Sequence, residues 1–257
     1  MEIYRAKNHL KAERRKLIDK GMAKPLALAL VTAVLGLCPK LTEWIVVILT
    51  EGFGVNVYLA RLVQACVIIL PALFALKVDI PLDPQIGVLD GGIEGEQIAL
   101  SLVCQAGLNA AVYTNLQIPT NRGGHKECDL IVVHPSGITI VECKHMSGLI
   151  SGSFEQHLLR HTNRYKDEYI KNPAMQSRDQ VHCLKEYLKD RGLDVPLRRA
   201  VMFTHDAVEL ELTDQHQYCP VFTAEDAEEF AAYLKGTQQV IPNRTLERVN
   251  RALQRLL

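Results

Sequence analysis

The sequence predicts a two-part protein, an apolar helical hairpin followed by an α/β domain. Three observations carry this. Eight Lys and Arg precede residue 25, and the chain is then apolar almost without interruption up to Lys77. Pro81, Pro84 and two glycines cluster between 79 and 91. Beyond them, helical and strand-like apolar periods alternate over a stretch of ordinary domain size.

Composition narrows the classes. With 48% apolar and 23% charged residues in a chain of 257, disorder is excluded. The 29 basic and 29 acidic residues exclude a strongly basic nucleic-acid coat. The balance is uneven along the chain: residues 1–77 hold 11 Lys and Arg against 5 acids, and the remainder holds 18 against 24. Seven cysteines are scattered with no C-x-x-C pair, which argues against a disulfide framework or zinc ribbon and for a reducing compartment.

Residues 1–24 read as a basic cytoplasmic N-terminus, and 25–77 as two transmembrane helices, each near the ~20 residues that a span requires. Lys40 and Glu43 are costly at membrane depth unless they pair or sit at the interface. A cleaved signal peptide fits less well, since no A-x-A site follows. The basic residues before the first span, and their absence from the loop near Glu51, place the N-terminus in the cytoplasm. An even number of crossings then leaves the soluble domain facing the cytosol from the cell's inner (cytoplasmic) membrane. Residues 78–91 read as a linker.

Residues 92–106 predict a helix, with Ile93, Ala99, Leu102, Val103 and Ala106 on one face. Strand patterns follow at 110–118, 128–133 and 137–143. The turn formers His134-Pro-Ser-Gly137 predict that the last two pair as a hairpin, bringing Asp129 and Glu142 to one end of a sheet. Strand alternation puts Glu142 and Lys144 on one face and turns Cys128 and Cys143 away from the acids. An acid at the end of an apolar strand, opposite E-x-K on the next, is costly without a partner or a metal.

Residues 173–189 predict a helix with Pro173 at its start, and 199–204 another strand. Thr223-Ala-Glu-Asp226 resembles a capping box before a helix ending at Lys235. Leu246, Val249, Leu253 and Leu256 predict a final amphipathic helix. His125-x-x-Cys128 and Cys143-x-His145 imitate a zinc site, which strand parity disfavours. The run His157, Arg160, His161, Arg164 and Lys166 could contact phosphates or form a solvated face.

Five motifs then occur in one order: Gly92-Ile-Glu-Gly-Glu96, Asp129-Leu-Ile-Val-Val, Ile140-Val-Glu-Cys-Lys144, Gly148-Leu-Ile-Ser-Gly152 and Asn172-Pro-Ala-Met-Gln176. Together they resemble the nuclease-related domain (NERD) of the PD-(D/E)xK superfamily, over about residues 90 to 205. The proline of the superfamily name is replaced here by Cys128.

The resemblance implies a restriction-endonuclease-like mixed sheet flanked by helices, filling 92–257. It also implies phosphodiester hydrolysis with Mg2+, or Mn2+ in its place, on DNA in preference to RNA. By position, the catalytic residues would be Glu96, Asp129, Glu142, Lys144 and Gln176. Asp129, Glu142 and the Cys143 carbonyl would hold the metal, with Glu96 as a further candidate ligand. Lys144 would act on the attacking water, and Gln176 would help to place the phosphate or the water. A hard cation taking oxygen ligands suits such a set. The expected partners are nucleic acid and the membrane. The alternative is an inactive nucleic-acid-binding or scaffold module at the membrane.

Overall fold

The computed structural model describes residues 1–37, 40–77, 84–121, 123–214, 219–236, 238 and 241–257. Two compact units result: Met1–Ala12 with Val88–Leu257, and Glu13–Gly87.

In chain order the elements are β1 (Glu2–Arg5), α1 (His9–Leu37), α2 (Lys40–Val47), a π-helical turn (Ile48–Gly52), α3 (Val57–Lys77) and α4 (Pro84–Gln105). Then come β2 (Ala111–Pro119), β3 (His125–His134), β4 (Gly137–Lys144), β5 (Gly148–Ser153), β6 (Leu158–Thr162) and β7 (Asp167–Lys171). The chain ends with α5 (Pro173–Lys189), β8 (Leu197–Phe203), β9 (Val208–Thr213), β10 (Val221–Thr223), α6 (Ala227–Lys235) and α7 (Asn243–Gln254).

The first unit holds two mixed sheets flanked by helices. One has the order β1-β2-β3-β4-β8-β10, the other β7-β6-β5-β9. The hairpin expected at residues 134–137 is present: β3 and β4 pair antiparallel, with His134 opposite Gly137. β4 then pairs in parallel with β8, from Ile138–Leu197 to Lys144–Phe203. This crossover runs through β5, β6 and β7 of the second sheet and through α5, while β9 follows β8.

The larger sheet is covered on both faces. Ile131, Val133, Ile138 and Ile140 pack with Leu184 and Leu188 of α5 and Val249 and Leu253 of α7. Leu130, Val132 and Val141 pack on the other face with Ala99 and Val103 of α4 and Phe230 and Leu234 of α6. The strands are apolar on both faces because both faces are buried. Ile150 and Leu159 of the smaller sheet, and Phe154 of the turn between β5 and β6, pack with Phe203 and Ala174.

Asn172, fully buried, ties that smaller sheet to α5. Its side chain caps the helix by accepting from the Ala174 N–H at 2.9 Å, and it donates to the Phe154 and Gln156 carbonyls at 2.9 and 2.7 Å. Helix α5 keeps the bounds its periodicity predicts. Ahead of α6, Asp226 Oδ2 accepts from the Thr223 N–H and hydroxyl at 2.7 and 2.8 Å, but the helix starts at Ala227 with Asp226 itself at the N-cap and no side-chain cap bond, so the expected capping box does not form.

Helix α4 begins at Pro84, before the predicted start at 92, so 84–91 is helical. The rest of the expected linker, 78–83, lies outside the described residues. Within the predicted part of the helix, Gly92 and Gly95 serve packing. A Cβ at Gly95 would stand 2.5 Å from the His145 Cβ and 2.8 Å from the Thr204 hydroxyl, and one at Gly92 would stand 2.9 Å from Leu10.

Strand β1 has no counterpart in the sequence reading. It pairs in parallel with β2, from Glu2–Ala111 to Arg5–Thr114, and Tyr4 stacks on Tyr113 with centroids 4.9 Å apart.

The transmembrane hairpin expected over 25–77 is not supported. Among the described residues, no helix is long and apolar enough to cross a membrane. The chemistry of the second unit agrees. Helix α1 takes in the basic run from Lys11 to Lys20. Arg61 and Gln64 of α3 face Glu43 and Thr42 of α2, through an ion pair at 3.6 Å and a buried hydrogen bond at 2.9 Å. Cys38 and Pro39, within the expected first span, lie outside the described residues.

Candidate active site

The site forms where β3 leaves β4. Their pairing ends at Leu130–Val141, one residue short of Asp129 and Glu142. The cause is visible on β2. Asn115, across from Asp129, is a buried non-glycine residue with φ of 55°, a left-handed conformation inside a strand.

The face alternation slips there. Ala111 and Tyr113 face α5 and α7, but beyond Asn115 it is Leu116 and Ile118 that do so. On β3, Leu130 packs toward α4 while Cys128 packs toward α5. Asp129 therefore sits at a break in the pleat, and its carboxylate turns to β4. Its Oδ2 accepts the Cys143 N–H at 2.8 Å, replacing a ladder partner.

Glu142 is buried, and its two oxygens have separate donors. Lys144 Nζ reaches Oε1 at 2.6 Å, and Gln180 Nε2 reaches Oε2 at 2.5 Å. Gln180 also donates to the Glu127 carbonyl at 3.0 Å. Gln176, the motif glutamine, is not bonded to Glu142, and among the described residues its buried Oε1 has no hydrogen-bond partner. Gln180 follows it by four positions and so shares its helix face. The sequence reading missed Gln180, although the N-P-x-x-Q-x-x-x-Q spacing signals it.

Glu96 approaches from α4. Its Oε2 accepts from Asn8 Nδ2 at 2.7 Å and from Asn115 Nδ2 at 2.8 Å. Neither asparagine was predicted, and Asn8 belongs to the N-terminal segment. The structure thus gathers Glu96, Asp129, Glu142 and Lys144 at one end of the sheet, with Gln180 directly on Glu142.

Electrostatics reflect this crowding. Burial, and next the Glu142 carboxylate, push the Asp129 carboxyl well above the ordinary carboxylate value. Burial likewise raises Glu96, against the two asparagine hydrogen bonds. Burial alone would lower Lys144, but the Glu142 and Asp129 carboxylates outweigh it and raise it. The lysine is held as an ammonium.

The cysteines differ from expectation. Cys143 packs on the α4 face, opposite Glu142, whereas Cys128 packs on the α5 face. The pleat break at Asp129 separates them. Burial raises both thiols well above the usual value. Among the described residues, no three His, Cys, Asp or Glu side chains group closely enough to hold a metal by themselves.

The available donor set is two carboxylates and a carbonyl. The Lys144 carbonyl accepts from the Thr204 N–H toward β8, so pleat alternation turns the Cys143 carbonyl toward β3, into the gap. Oxygen donors of this kind suit a hard divalent cation that keeps several waters. A cation would also relieve the repulsion that raises Asp129.

Residues 91–204 match the family model of the nuclease-related domain. No curated protein and no solved structure matches the chain significantly. The matched stretch runs from the glycines of α4 to Thr204 and contains Glu96, Asp129, Glu142, Lys144, Gln176 and Gln180. Over residues 91–204 the chain is therefore similar to the nuclease-related domain.

Proposed function

We propose that the protein is a metal-dependent nuclease that hydrolyses phosphodiester bonds, in DNA in preference to RNA. One observation carries the reading: Asp129, Glu142 and the Cys143 carbonyl converge in the gap between β3 and β4, with the Lys144 ammonium at its edge. Such a cluster of desolvated acids is unfavourable for folding alone.

Asp129, Glu142 and the Cys143 carbonyl would hold Mg2+, with Mn2+ as a substitute and Glu96 in support. The ion would supply charge stabilisation at the phosphate oxygens. The protein's own groups do the remaining work. Lys144 orients and polarises the water that attacks phosphorus. Gln180 fixes the Glu142 carboxylate, and Gln176 helps to place water through its unpaired amide oxygen or phosphate through its amide N–H donors.

A second reading, an inactive nucleic-acid-binding or scaffold module, is favoured by the engagement of both Glu142 oxygens by protein donors. The two are separated by incubating linear, circular and single-stranded DNA, and RNA, with Mg2+, Mn2+ or EDTA. Cleavage that requires metal and disappears in Glu142→Gln supports the nuclease. Binding without any cleavage supports the module.

The proposal includes attachment at the cytoplasmic membrane, with the nuclease domain facing the cytosol. Its support is the exposed apolar surface of the second unit, where Trp44, Phe53, Leu59 and Leu62 face outward. A patch of this kind commonly marks an interaction surface, and helices can lie in a membrane interface without crossing it. Sedimentation of the full chain with membranes is the expected result, and recovery in the supernatant would reject it.

A further inference from the structure

A cavity of about 800 Å³ opens in the first unit between α4, β2 and the N-terminal segment. Its lining includes Arg5, Asn8, Lys11, Leu100, Glu96 and Asn115. It adjoins the carboxylates: Glu96 lies on it, and the Glu96 charge helps to raise Asp129.

The N-terminal segment builds one wall. Asn8 Oδ1 accepts from the Lys11 N–H at 2.8 Å where α1 starts, and Asn8 Nδ2 donates to Glu96 and, at 3.1 Å, to Asn115 Oδ1. Strand β1 fixes this segment on β2. Both bonds to Glu96 end on Oε2, so among the described residues Oε1 has no hydrogen-bond donor and can accept from a ligand. Arg5 and Lys11 are exposed and have no ion-pair partner among the described residues. None of the N-terminal residues belongs to the matched stretch 91–204.

We propose that this cavity receives a nucleotide of the nucleic-acid strand beside the cleavage site. Its base would lie against Leu100, with Glu96 Oε1 and the amides meeting its polar edge, and its phosphate would lie toward Arg5 and Lys11. The chemistry is what such a ligand requires: an apolar wall for the base, acceptors and donors for its edge, and two unpaired cations for phosphate. The volume lies in the range of small-ligand sites. The inference rests on the nuclease reading and adds a substrate-binding role for a segment outside the domain.

The test measures binding of fluorescent single-stranded DNA and RNA to the full-length protein in EDTA, by anisotropy over a range of salt, alongside cleavage in Mg2+. The Arg5→Ala, Lys11→Ala double variant should raise Kd roughly tenfold and flatten the salt slope by about 1 to 2. Ser101→Trp narrows the cavity from an exposed position whose hydroxyl bonds only within its own helix. It should raise Kd and leave the salt slope unchanged. Circular dichroism confirms that both variants fold. If wild type binds and cleaves while both variants match its Kd, the cavity has no such role and the nuclease reading stands. If wild type neither binds nor cleaves, both readings fall.

Discussion

Asp129 Oδ2 accepts the Cys143 backbone N–H at 2.8 Å, at the point where β3 ceases to pair with β4. A side chain thus takes the place of a strand, and this keeps the carboxylate beside Glu142 despite the repulsion. The arrangement sacrifices stability for a site, and most of the following expectations test that exchange.

Asp129→Asn should abolish cleavage and stabilise the metal-free fold at neutral pH. The folded state raises the Asp129 carboxyl, so the carboxylate costs stability as pH rises from ~3.9 through the raised value. Asparagine resembles the protonated form and removes that cost. Melting curves in EDTA should show a higher Tm for the variant at neutral pH and a smaller difference in acid. A lower Tm throughout would mean that the Cys143 bond outweighs the repulsion.

Lys144→Ala should remain folded and lose at least ~10²-fold in turnover, the scale of a lost positioned donor at the reacting centre. Isothermal titration should still detect Mg2+, because the carboxylates and the Cys143 carbonyl are retained. Wild-type turnover in this variant would remove Lys144 from the chemistry.

Gln180→Leu should lower kcat more than Gln176→Leu does, since only Gln180 bonds Glu142. Leaving a buried carboxylate oxygen without its donor costs roughly 1–3 kcal/mol, so Tm should fall as well. Equal kcat values for the two variants would contradict the geometry.

Cys143→Ala and Cys128→Ala should each lose stability and keep metal-dependent cleavage, because position 143 contributes backbone atoms alone. Elemental analysis finding bound zinc, or a folded Cys143→Ala protein without activity, would overturn this.

His134 gives a pH dependence away from the site. Burial, and next Arg198, lower its value, while its Nδ1 accepts from the Ser136 N–H at 3.2 Å in the β3–β4 turn. The unfolded chain therefore takes up a proton that the folded chain resists. Stability is present above ~6.5 and is lost as pH falls through that value toward the lowered one. His145 is also lowered and acts in the same direction. His134→Asn should reduce, without abolishing, the loss of unfolding free energy between about pH 7 and pH 5.5 seen by urea denaturation. An unchanged slope would count against His134.

Much of the frame was legible locally. The Pro135-Ser136 turn between two apolar runs specifies the β3–β4 hairpin, and the Pro173 start with its apolar stripe specifies α5. Asp129, Glu142 and Lys144 could be placed together because strand pairing follows from the turn. The apolar tract to Lys77 misled, since hydropathy does not reveal that Arg61 and Gln64 would meet Glu43 and Thr42. The Pro84, Gly87 and Gly91 positions also misled, since residues that read locally as linker form the first turns of α4.

The sequence by itself determined the acids, the lysine and the strands and helix that carry them, because those signals lie in turns and in periods of a few residues. Only the tertiary structure decided the slip of the pleat at Asn115, the bond from Gln180 to Glu142 and the arrival of Asn8 at Glu96. The last two join residues 38 and 88 positions apart. No local period encodes such pairs. They exist because β1 and α4 bring the distant N-terminal segment to one face of the sheet, and α5 brings Gln180 to the other.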